Sequence, residues 1–449
     1  MEKGVNPDLV KVGKPFCRVQ GVIEGEINFE LWLPSPDAWN GRFYGTGNGA
    51  FAGYIRYEEL ARGVMRGFAS VSTDTGHTIS ELHWAMGRPK RLENYEFRAQ
   101  HLVAVNAKHI TEAYYSKPIS HSYFMGCSGG GMQAMNEVQR YPADYDGIID
   151  GADGMGIVGI SARWLMSALI HESDPAASPS IEDWRKIAAA AVAKCDADDG
   201  VKDGIINDPP SCKFALSETP GLTGAKLKYA EELYAPILGS DGSVLSDGFT
   251  PGVAYKPMDQ PGDPSEAVFG DWTYQDPNWD SKTFNAARDI PLAEAVTPGL
   301  ATTNPNLEPF ARLGGKLIAY QGWTDPTVPA KSTIRYHEQV VRLLGSDITD
   351  RFYRLFVAPG MDHCGGGEGP NSFGGFMQGN PPEVDADHDL LSAIVQWVEE
   401  NKAPEKIIAS KVTDGKVVMT RPLCPYPQLA RYSGHGDVNV AANFVCIKP

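Results

Sequence analysis

Gly-Cys-Ser-Gly-Gly at residues 126–130 is the stretch that decides the fold of this chain. It follows the apolar run at residues 123–125 and precedes residues 132–140, whose composition favours a helix. A G-x-S-x-G motif between a strand and a helix forms a tight turn, in which the glycines leave room beside the serine and the hydroxyl of Ser128 is held clear of the sheet. A bare motif of this kind also occurs as a glycine-rich turn whose serine has no task. The rest of the chain must therefore decide between the two interpretations.

Two further motifs supply the partners that a nucleophilic serine needs. Residues 316–321 form an apolar run typical of a buried strand, and the Gly-Trp-Thr-Asp-Pro that follows puts Asp325 at the end of that strand. Residues 352–357 form a second such run, which leads into the loop that carries His363. Serine, acid and histidine in this chain order, each after a strand, are the arrangement of an α/β-hydrolase. We therefore expect an α/β-hydrolase fold with Ser128, Asp325 and His363 as its catalytic triad.

Taken together, these motifs resemble one known family. Gly-Cys-Ser-x-Gly-Gly with Gln-Arg-Tyr-Pro-x-Asp-Tyr-Asp-Gly-Ile-Ile after it, Gly-Trp-x-Asp-Pro and Gly-x-x-His-Cys are similar to the tannase and feruloyl esterase family, which includes mono(2-hydroxyethyl) terephthalate hydrolase. The resemblance extends over nearly the whole chain. It implies a serine carboxylesterase that hydrolyses esters of aromatic acids, of the feruloyl or other hydroxycinnamoyl, galloyl or terephthaloyl type. The motifs do not separate these acyl groups.

The oxyanion hole is predicted from two segments. The backbone N–H of Gly129 would face the developing negative charge. The glycine-rich loop at residues 45–53 follows a predicted strand but lacks the Lys-Ser/Thr of a P-loop and the spacing of a dinucleotide-binding turn. In an α/β-hydrolase this early loop gives the second donor. The family resemblance places that donor at about Gly49.

The seven cysteines indicate an oxidising compartment. The family resemblance implies a disulfide between Cys127 and Cys364, which would lock the nucleophile and base loops together. We expect two further pairs, Cys195 with Cys212 and Cys424 with Cys446. Cys17 is left over; the matching cysteine of the family pairs nearer the N-terminus, and a free buried thiol is the alternative. No signal peptide is visible in the first twenty residues. Because the cysteine pairs suit an exported protein, we nevertheless expect a secreted or periplasmic protein whose leader has been removed.

The composition excludes several classes of function. The chain has 449 residues, of which 42% are hydrophobic and 21% charged, as in ordinary globular proteins. Its formal net charge of −16 argues against nucleic acid or an anionic membrane as a partner. No segment approaches the run of about 20 apolar residues that a membrane span requires.

Residues 154–299 are predicted to form a lid domain inserted between nucleophile and acid. They show no regular alternation of strands and helices, and acidic residues outnumber basic ones there by about two to one. Residues 1–153 and 300–449 would form the two parts of the hydrolase core. Five aromatic residues crowd one segment of the lid, where they could wall an aromatic acyl pocket or form the lid's own small core: Phe269, Trp272, Tyr274, Trp279 and Phe284.

The lid contains a candidate calcium loop. Residues 196–203 hold four aspartates, whose mutual repulsion a hard dication with oxygen ligands would relieve. The spacing is not that of an EF-hand, and a solvated acidic turn is the alternative. The family resemblance implies a structural Ca²⁺ bound by three carboxylates and two backbone carbonyls, namely those of Asp196, Asp199 and Asp203 and those of Val201 and Ile205.

Coarser patterns complete the sequence-based picture. Alternation over residues 17–34 predicts an opening β-hairpin, and residues 389–401 predict a final amphipathic helix. Asp74 and His77 follow a strand-like run and suggest a metal or triad site, although hydrogen bonding within a turn is the commoner role of such residues.

Two other functions fit the same residues less well. The triad could serve an acyltransferase or a peptidase instead of an esterase. Alternatively, the chain could be a calcium-dependent binding protein on an inactive hydrolase scaffold, but the intact serine, aspartate and histidine argue against this. Acylation of Ser128 by a fluorophosphonate separates the enzymes from the binding protein.

Overall fold

The computed structural model describes residues 10–153, 156–257 and 266–448. Its strands are numbered in chain order: β1 (Phe16–Ile23), β2 (Ile27–Pro34), β3 (Arg42–Thr46), β4 (Ala69–Thr73), β5 (His121–Cys127), β6 (Gly147–Gly151), β7 (Ile237–Leu238), β8 (Val244–Ser246), β9 (Lys316–Gly322), β10 (Tyr353–Ala358), β11 (Ile407–Thr413), β12 (Lys416–Leu423), β13 (Leu429–Tyr432) and β14 (Phe444–Ile447).

The α-helices are numbered in the same way: α1 (Tyr57–Met65), α2 (Pro89–Glu93), α3 (Ala99–Tyr115), α4 (Gly129–Arg140), α5 (Ile157–Ser173), α6 (Ile181–Cys195), α7 (Gly224–Tyr234), α8 (Ala286–Val296), α9 (Glu308–Arg312), α10 (Ala330–Leu344), α11 (Ser346–Thr349) and α12 (Leu390–Glu400). Short π-helical segments lie at Asn94–Arg98 and Ala267–Tyr274, and 3-10 turns lie at Asp196–Asp199, Pro209–Ser211, Leu216–Glu218, Ser281–Thr283 and Ala441–Asn443.

Eight strands form one sheet in the order β1-β2-β4-β3-β5-β6-β9-β10. The six strands from β4 to β10 in this order run parallel to one another. Strand β2 runs antiparallel to both of its neighbours, β1 and β4. The predicted opening hairpin is confirmed, because β1 and β2 pair from Phe16 and Pro34 to Ile23 and Ile27. The carboxyl ends of β5, β9 and β10 therefore lie along one edge of the sheet, which is where an open α/β sheet places its ligands.

Helices cover both faces of this sheet, so its central strands are apolar on both sides. One face packs against α3, α4 and α10, and it includes Phe124, Ile148 and Leu317. The opposite face packs against α12, and it includes the neighbouring residues Ile149 and Ile318. This alternation follows from the two-residue period of a strand. The predicted final helix is confirmed as α12, which Asp389 caps through a hydrogen bond from the backbone N–H of Ser392.

Residues 156–257 and 266–299 form helices α5 to α8 and the small β7–β8 hairpin between β6 and β9. The predicted domain boundaries at residues 153 and 299 remain a prediction. Two of the aromatic residues singled out above, Phe269 and Trp272, are buried in a hydrophobic core. Trp272 packs against the rings of Phe51, Trp84 and Tyr95. Trp272 therefore packs the inserted segment on the sheet domain, whereas Phe269 contacts the rings of Trp279 and Phe284 within that segment.

The C-terminal segment packs as two small hairpins, β11–β12 and β13–β14. The three predicted disulfides are present: Cys127–Cys364, Cys195–Cys212 and Cys424–Cys446. Cys17 is half-buried and unpaired. None of the helices in the described parts of the chain is long and apolar enough to cross a membrane.

Candidate active site

Ser128 lies between β5 and α4 with φ +62° and ψ −122°. This is a strained conformation for a residue with a side chain, and strain of this kind is typical of a nucleophile elbow. A Cβ atom on Gly126 would overlap the carbonyl oxygen of Gly130, and one on Gly130 would overlap that of Asn48. The prediction that these positions need glycine is therefore confirmed.

Asp325 and His363 form a hydrogen-bonded pair. His363 Nδ1 lies 2.8 Å from Asp325 Oδ2. The other carboxylate oxygen of Asp325 accepts hydrogen bonds from the backbone N–H groups of Thr327 and Val328, each at 2.8 Å. Burial by itself would lower the pKa of His363, but the charge and the hydrogen bond of Asp325 outweigh it and raise that pKa above its usual value. A raised pKa makes the imidazole a stronger base.

The Cys127–Cys364 disulfide brings the third predicted residue to this pair. Cys127 precedes Ser128 and Cys364 follows His363, and the two Cα atoms lie 6.0 Å apart. The elbow and the base loop are thus covalently joined across 237 residues of sequence. The structure brings Ser128, His363 and Asp325 to one edge of the sheet, as the sequence predicted, although their catalytic roles remain a proposal.

Gln321 is a buried polar residue of the site that the sequence reasoning missed. Its Nε2 donates to Asp325 Oδ2 at 3.1 Å, and its Oε1 accepts from the hydroxyl of Thr333 at 3.0 Å. A glutamine inside the apolar strand β9 was the signal that could have identified it, because a buried amide requires partners. Gln321 therefore helps to orient the carboxylate of Asp325.

The glycine-rich loop lies against the elbow, as predicted. A Cβ on Gly47 would lie 2.7 Å from the Cα of Gly130, and one on Gly129 would overlap the carbonyl oxygen of Ala50. The N–H of Gly129 has no acceptor among the described residues, which leaves it available to a ligand. In contrast, the N–H of Gly49 donates to the hydroxyl of Tyr54 at 3.1 Å. The amide of Ala50 is nearer to Gly129, since it lies 3.3 Å from the position of a Cβ on that residue.

Asp74 and His77 hold turns beside this loop, which was the commoner of the two roles expected for them. Asp74 accepts hydrogen bonds from the N–H groups of Asn28 and Gly76. His77 Nε2 lies 2.8 Å from the carbonyl oxygen of Phe51, and its ring stacks on Trp84 at 3.7 Å. Burial lowers the pKa of His77 to about 4, so the imidazole is neutral at pH 7 and donates to that carbonyl.

The predicted calcium loop is folded around its own aspartates. Asp196 Oδ1 accepts hydrogen bonds from the backbone N–H groups of Asp203, Gly204 and Ile205. Burial raises the pKa of Asp199 and of Asp203 above the usual value, and the neighbouring aspartates add to this effect. One guanidinium, that of Arg421, pairs with Asp203.

The donor set of this loop fits a hard cation. The backbone carbonyls of Val201 and Ile205 accept no hydrogen bond from a backbone N–H among the residues that the structure describes. Carbonyl and carboxylate oxygens are the ligands that Ca²⁺ prefers, and a dication would relieve the unfavourable burial of the carboxylates of Asp199 and Asp203. A different cluster, Glu383, Asp385 and His388, has ligand atoms within 4.8 Å of one another. It is largely exposed, and its own hydrogen bonds explain its geometry.

Comparison with known proteins gives the family. The model of the tannase and feruloyl esterase family matches residues 10–232 and 244–447. An uncharacterized esterase of Xanthomonas campestris pv. campestris is 33% identical over 96% of this chain and 84% of its own length. A probable feruloyl esterase B-2 of Aspergillus terreus is also 33% identical, over 97% of this chain and 87% of its own length.

Solved structures give the same result. The crystal structure of feruloyl esterase B from Aspergillus oryzae superposes with a TM-score of 0.91 at 29% identity, covering 100% of this chain and 94% of that one. The tannin acyl hydrolase from Aspergillus niger superposes with a TM-score of 0.80 at 23% identity, covering 98% and 89% of the two chains, which shows a shared fold.

The mostly parallel sheet with Ser128 in the turn after β5 defines an α/β-hydrolase. Its relatives are esterases, so the protein is a carboxylic ester hydrolase. The chain belongs to the tannase and feruloyl esterase family.

Proposed function

We propose that the protein is a serine carboxylesterase that hydrolyses esters of aromatic acids through an acyl-enzyme on Ser128. The observation that carries the proposal is the His363–Asp325 hydrogen bond of 2.8 Å, joined by the Cys127–Cys364 disulfide to the strained turn at Ser128. A base that is oriented by a buried carboxylate and linked to a nucleophile elbow is the arrangement of serine hydrolases.

In the proposed mechanism, His363 carries its proton on Nδ1 toward Asp325, which leaves the lone pair of Nε2 for the serine. Ser128 Oγ attacks the ester carbonyl carbon while Nε2 takes the hydroxyl proton. The carbonyl oxygen becomes an oxyanion, and the N–H of Gly129 and a second N–H from the glycine-rich loop stabilise it. Gly49 was the predicted source of this second donor, and the amide of Ala50 is the better placed.

The tetrahedral intermediate then breaks down. The bond between the carbonyl carbon and the leaving oxygen breaks, the alcohol takes the proton from His363, and the acid remains esterified to Ser128. A water molecule gives its proton to His363 and attacks the acyl carbon. The acid leaves, and Ser128 recovers its proton.

The proposed acyl group is an aromatic acid. The Aspergillus terreus relative is named as a probable feruloyl esterase and the Aspergillus oryzae structure as a feruloyl esterase, which favours the hydroxycinnamoyl type. The family also contains tannases, which favours the galloyl type as well. The terephthaloyl type is the further alternative. Non-catalytic, calcium-dependent binding is the remote alternative, and the intact pair of Asp325 and His363 disfavours it.

We further propose a structural Ca²⁺ bound by the carboxylates of Asp196, Asp199 and Asp203 and the carbonyls of Val201 and Ile205. When bound, the ion would neutralise the charge of the loop. Ile205 Cγ2 lies 3.3 Å from the position of a Cβ on Gly360, three residues before His363, so the acidic loop packs against the base loop. The disulfides also suit an exported protein.

A hydrolysis panel tests the proposed function. Methyl ferulate, methyl gallate and mono(2-hydroxyethyl) terephthalate are offered to the wild type and to Ser128→Ala. The expected result is hydrolysis of at least one ester that is lost in the variant, together with labelling of wild-type Ser128 by a fluorophosphonate. Absence of both hydrolysis and labelling in the wild type would overturn the proposal.

A further inference from the structure

A fully buried group of three side-chain amides lies beneath the proposed oxyanion hole. It consists of Asn48 in the glycine-rich loop, Gln100 in α3 and Gln133 in α4, which expose 0%, 4% and 1% of their surfaces. We call this group the amide clamp. The sequence reasoning did not single out any of its members, and the mechanism proposed above does not use them.

The clamp joins two segments that hold the oxyanion donors. The backbone N–H of Asn48 donates to Gln133 Oε1 at 2.9 Å, and Gln133 Nε2 donates back to Asn48 Oδ1 at 3.1 Å. This reciprocal pair fixes the loop to the first turns of α4, one helical turn after Gly129. Since residues 48 and 133 are 85 positions apart, no local interaction could set this distance.

Gln100 completes the clamp from α3. Its Nε2 donates to Gln133 Oε1 at 3.0 Å and to Asn48 Oδ1 at 3.3 Å. The remaining amide group of Asn48, Nδ2, donates to the carbonyls of Tyr54 at 2.8 Å and Thr73 at 2.9 Å. The side chain of Asn48 is thus hydrogen-bonded through both its oxygen and its nitrogen. These bonds also fix the loop that carries it.

The backbone contributes a hydrogen bond between the loop and the strand before the elbow, from the N–H of Gly47 to the carbonyl of Met125 at 2.9 Å. The other close backbone contacts run through Gly47, Gly129 and Gly130, which have no side chains that could interlock. Hydrogen bonds in a dry interior are stronger and more directional than those in water. The clamp therefore adds the side-chain hydrogen bonds that fix the loop at this junction.

We propose that Gln133, with Gln100, is a positioning residue that sets the separation between the N–H of Gly129 and the second oxyanion donor, the amide of Ala50. This inference rests on the proposed function. Donors stabilise a transition state only when they are fixed where the charge develops, so a small displacement of the loop lowers turnover without weakening substrate binding.

Gln133→Met tests the inference, because methionine has a similar length and offers neither a donor nor a strong acceptor. Gln133→Glu keeps an acceptor for the N–H of Asn48. It replaces the Nε2 donor with a carboxylate oxygen, which then lies beside the acceptor Asn48 Oδ1. Gln139→Met is the matched control. It is the same change on the same helix and removes two hydrogen bonds, to the Thr302 carbonyl and the Tyr336 hydroxyl.

Kinetics provide the first measurement, with the best ester of the panel. We expect kcat to fall about 10- to 100-fold in Gln133→Met and Gln133→Glu, with KM changed by less than about threefold. The affinity for an aryl trifluoromethyl ketone, which Ser128 converts into a tetrahedral oxyanion, should fall by a similar factor. The affinity for the product acid should stay the same. Equal kinetic effects in Gln133→Met and Gln139→Met would overturn the inference.

Hydrogen–deuterium exchange provides a second measurement, which needs no activity. Exchange at residues 45–54 should accelerate at least about tenfold in Gln133→Met and remain unchanged in Gln139→Met. An unchanged rate in Gln133→Met would refute the role of the clamp even if the protein proved to be an active esterase. An inactive wild type with accelerated exchange in Gln133→Met would refute only the proposed function.

Discussion

His363 experiences two opposing electrostatic influences. Burial disfavours its charged form, whereas Asp325 favours it and prevails, so the pKa of the imidazole is raised. The buried carboxylate is itself fixed by two backbone N–H groups and by Gln321. In the proposed mechanism, such an arrangement gives a base that is strong and correctly oriented, but that works only once the pH exceeds its raised pKa.

The pH dependence of hydrolysis follows from this balance. The base must be neutral to accept the proton of Ser128, so kcat/KM should rise with pH through the raised pKa of His363. Asp325→Asn removes the charge that raises this pKa. The rising limb of the pH–rate profile, in which kcat/KM increases with pH, should therefore move to lower pH. The maximal rate should fall by a factor of order 10³ to 10⁴. A pH–rate profile of both proteins measures the two effects.

Asp362→Asn is the control for this prediction. The Asp362 carboxylate adjoins His363 and also raises its pKa, but it contributes less than Asp325. Asp362→Asn should shift the rising limb of the pH–rate profile only slightly and leave most of the activity. A rising limb that stays in place in Asp325→Asn would show that a group other than His363 titrates.

At the scale of elements, the site is assembled from loops at the ends of three strands. The turn after β5, the loop after β9 and the loop after β10 come together because parallel strands end on one edge. The amide clamp fixes the glycine-rich loop to α4, and the acidic loop packs on Gly360. The disulfide, the hydrogen bonds and the packing between loops thus fix the site residues more closely than the sheet alone does.

Removal of the Cys127–Cys364 disulfide should affect catalysis first. In the double variant with alanine at both positions, the loops of Ser128 and His363 lose their covalent link, and positioning errors below one ångström are enough to slow the chemistry. We expect kcat to fall at least about tenfold at a temperature where circular dichroism shows the variant folded.

The tail disulfide provides the control for that experiment. Replacing Cys424 and Cys446 with alanine removes a link between residues 22 apart, in a segment distant from the proposed nucleophile in sequence. This double variant should have a lower melting temperature than the wild type, while its kcat stays close to that of the wild type. Equal turnover in the wild type and in the Cys127/Cys364 variant would contradict the expectation.

Calcium should stabilise the acidic loop. A chelator is expected to lower the melting temperature of the wild type by several degrees, because a ligand that binds only the folded state stabilises it. Added Ca²⁺ should reverse the effect. Asp199→Asn should weaken this response, whereas Asp198→Asn, which changes an aspartate outside the proposed ligand set, should keep it. Identical melting curves with chelator and with Ca²⁺ would remove calcium from the proposed function.

At the scale of the whole molecule, the inserted segment meets the sheet domain through buried groups. Asn136 of α4 donates to the carbonyls of Glu96 and Gly299, and the Glu96 carboxylate accepts from the N–H of Gly299 at 2.9 Å. Burial raises the pKa of Glu96 to about 7. A carboxylate at this junction is therefore a source of pH-dependent stability.

The sign of that dependence follows from proton linkage. The folded state holds the Glu96 proton more tightly than the unfolded state, so this group lowers the free energy of unfolding as the pH rises from about 4.5 to about 7. Glu96→Gln should remove the effect and stabilise the protein by about 1 to 3 kcal/mol at pH 8, with little change at pH 4.5. Urea denaturation at the two pH values measures the difference.

The exposed Glu93 provides the matched control. Glu93→Gln removes the same charge three residues away and should change stability much less than Glu96→Gln does, because Glu93 raises the pKa of Glu96 less than burial does. A loss of stability in Glu96→Gln at pH 8 would mean that the charged form is favoured at this junction.

The sequence could reveal Ser128, Asp325, His363 and the α/β-hydrolase fold because local patterns encode them. A G-x-S-x-G turn and apolar runs of strand length depend on neighbouring residues, and the order of the motifs restricts the topology. The Cys127–Cys364 disulfide became predictable through the family resemblance. The hairpin β1–β2 and helix α12 follow from periodicity alone.

Only the tertiary structure determined which buried polar groups meet. Asn48 and Gln133, Gln321 and Thr333, and Glu96 and Gly299 carry no motif, and two of these pairs lie 85 and 203 residues apart. Likewise, only the structure showed that the N–H of Gly49 is already bonded and that Ala50 lies nearer to Gly129. The physical reason is that periodicity records whether a position is buried, whereas a hydrogen bond between distant residues depends on the final packing of the chain.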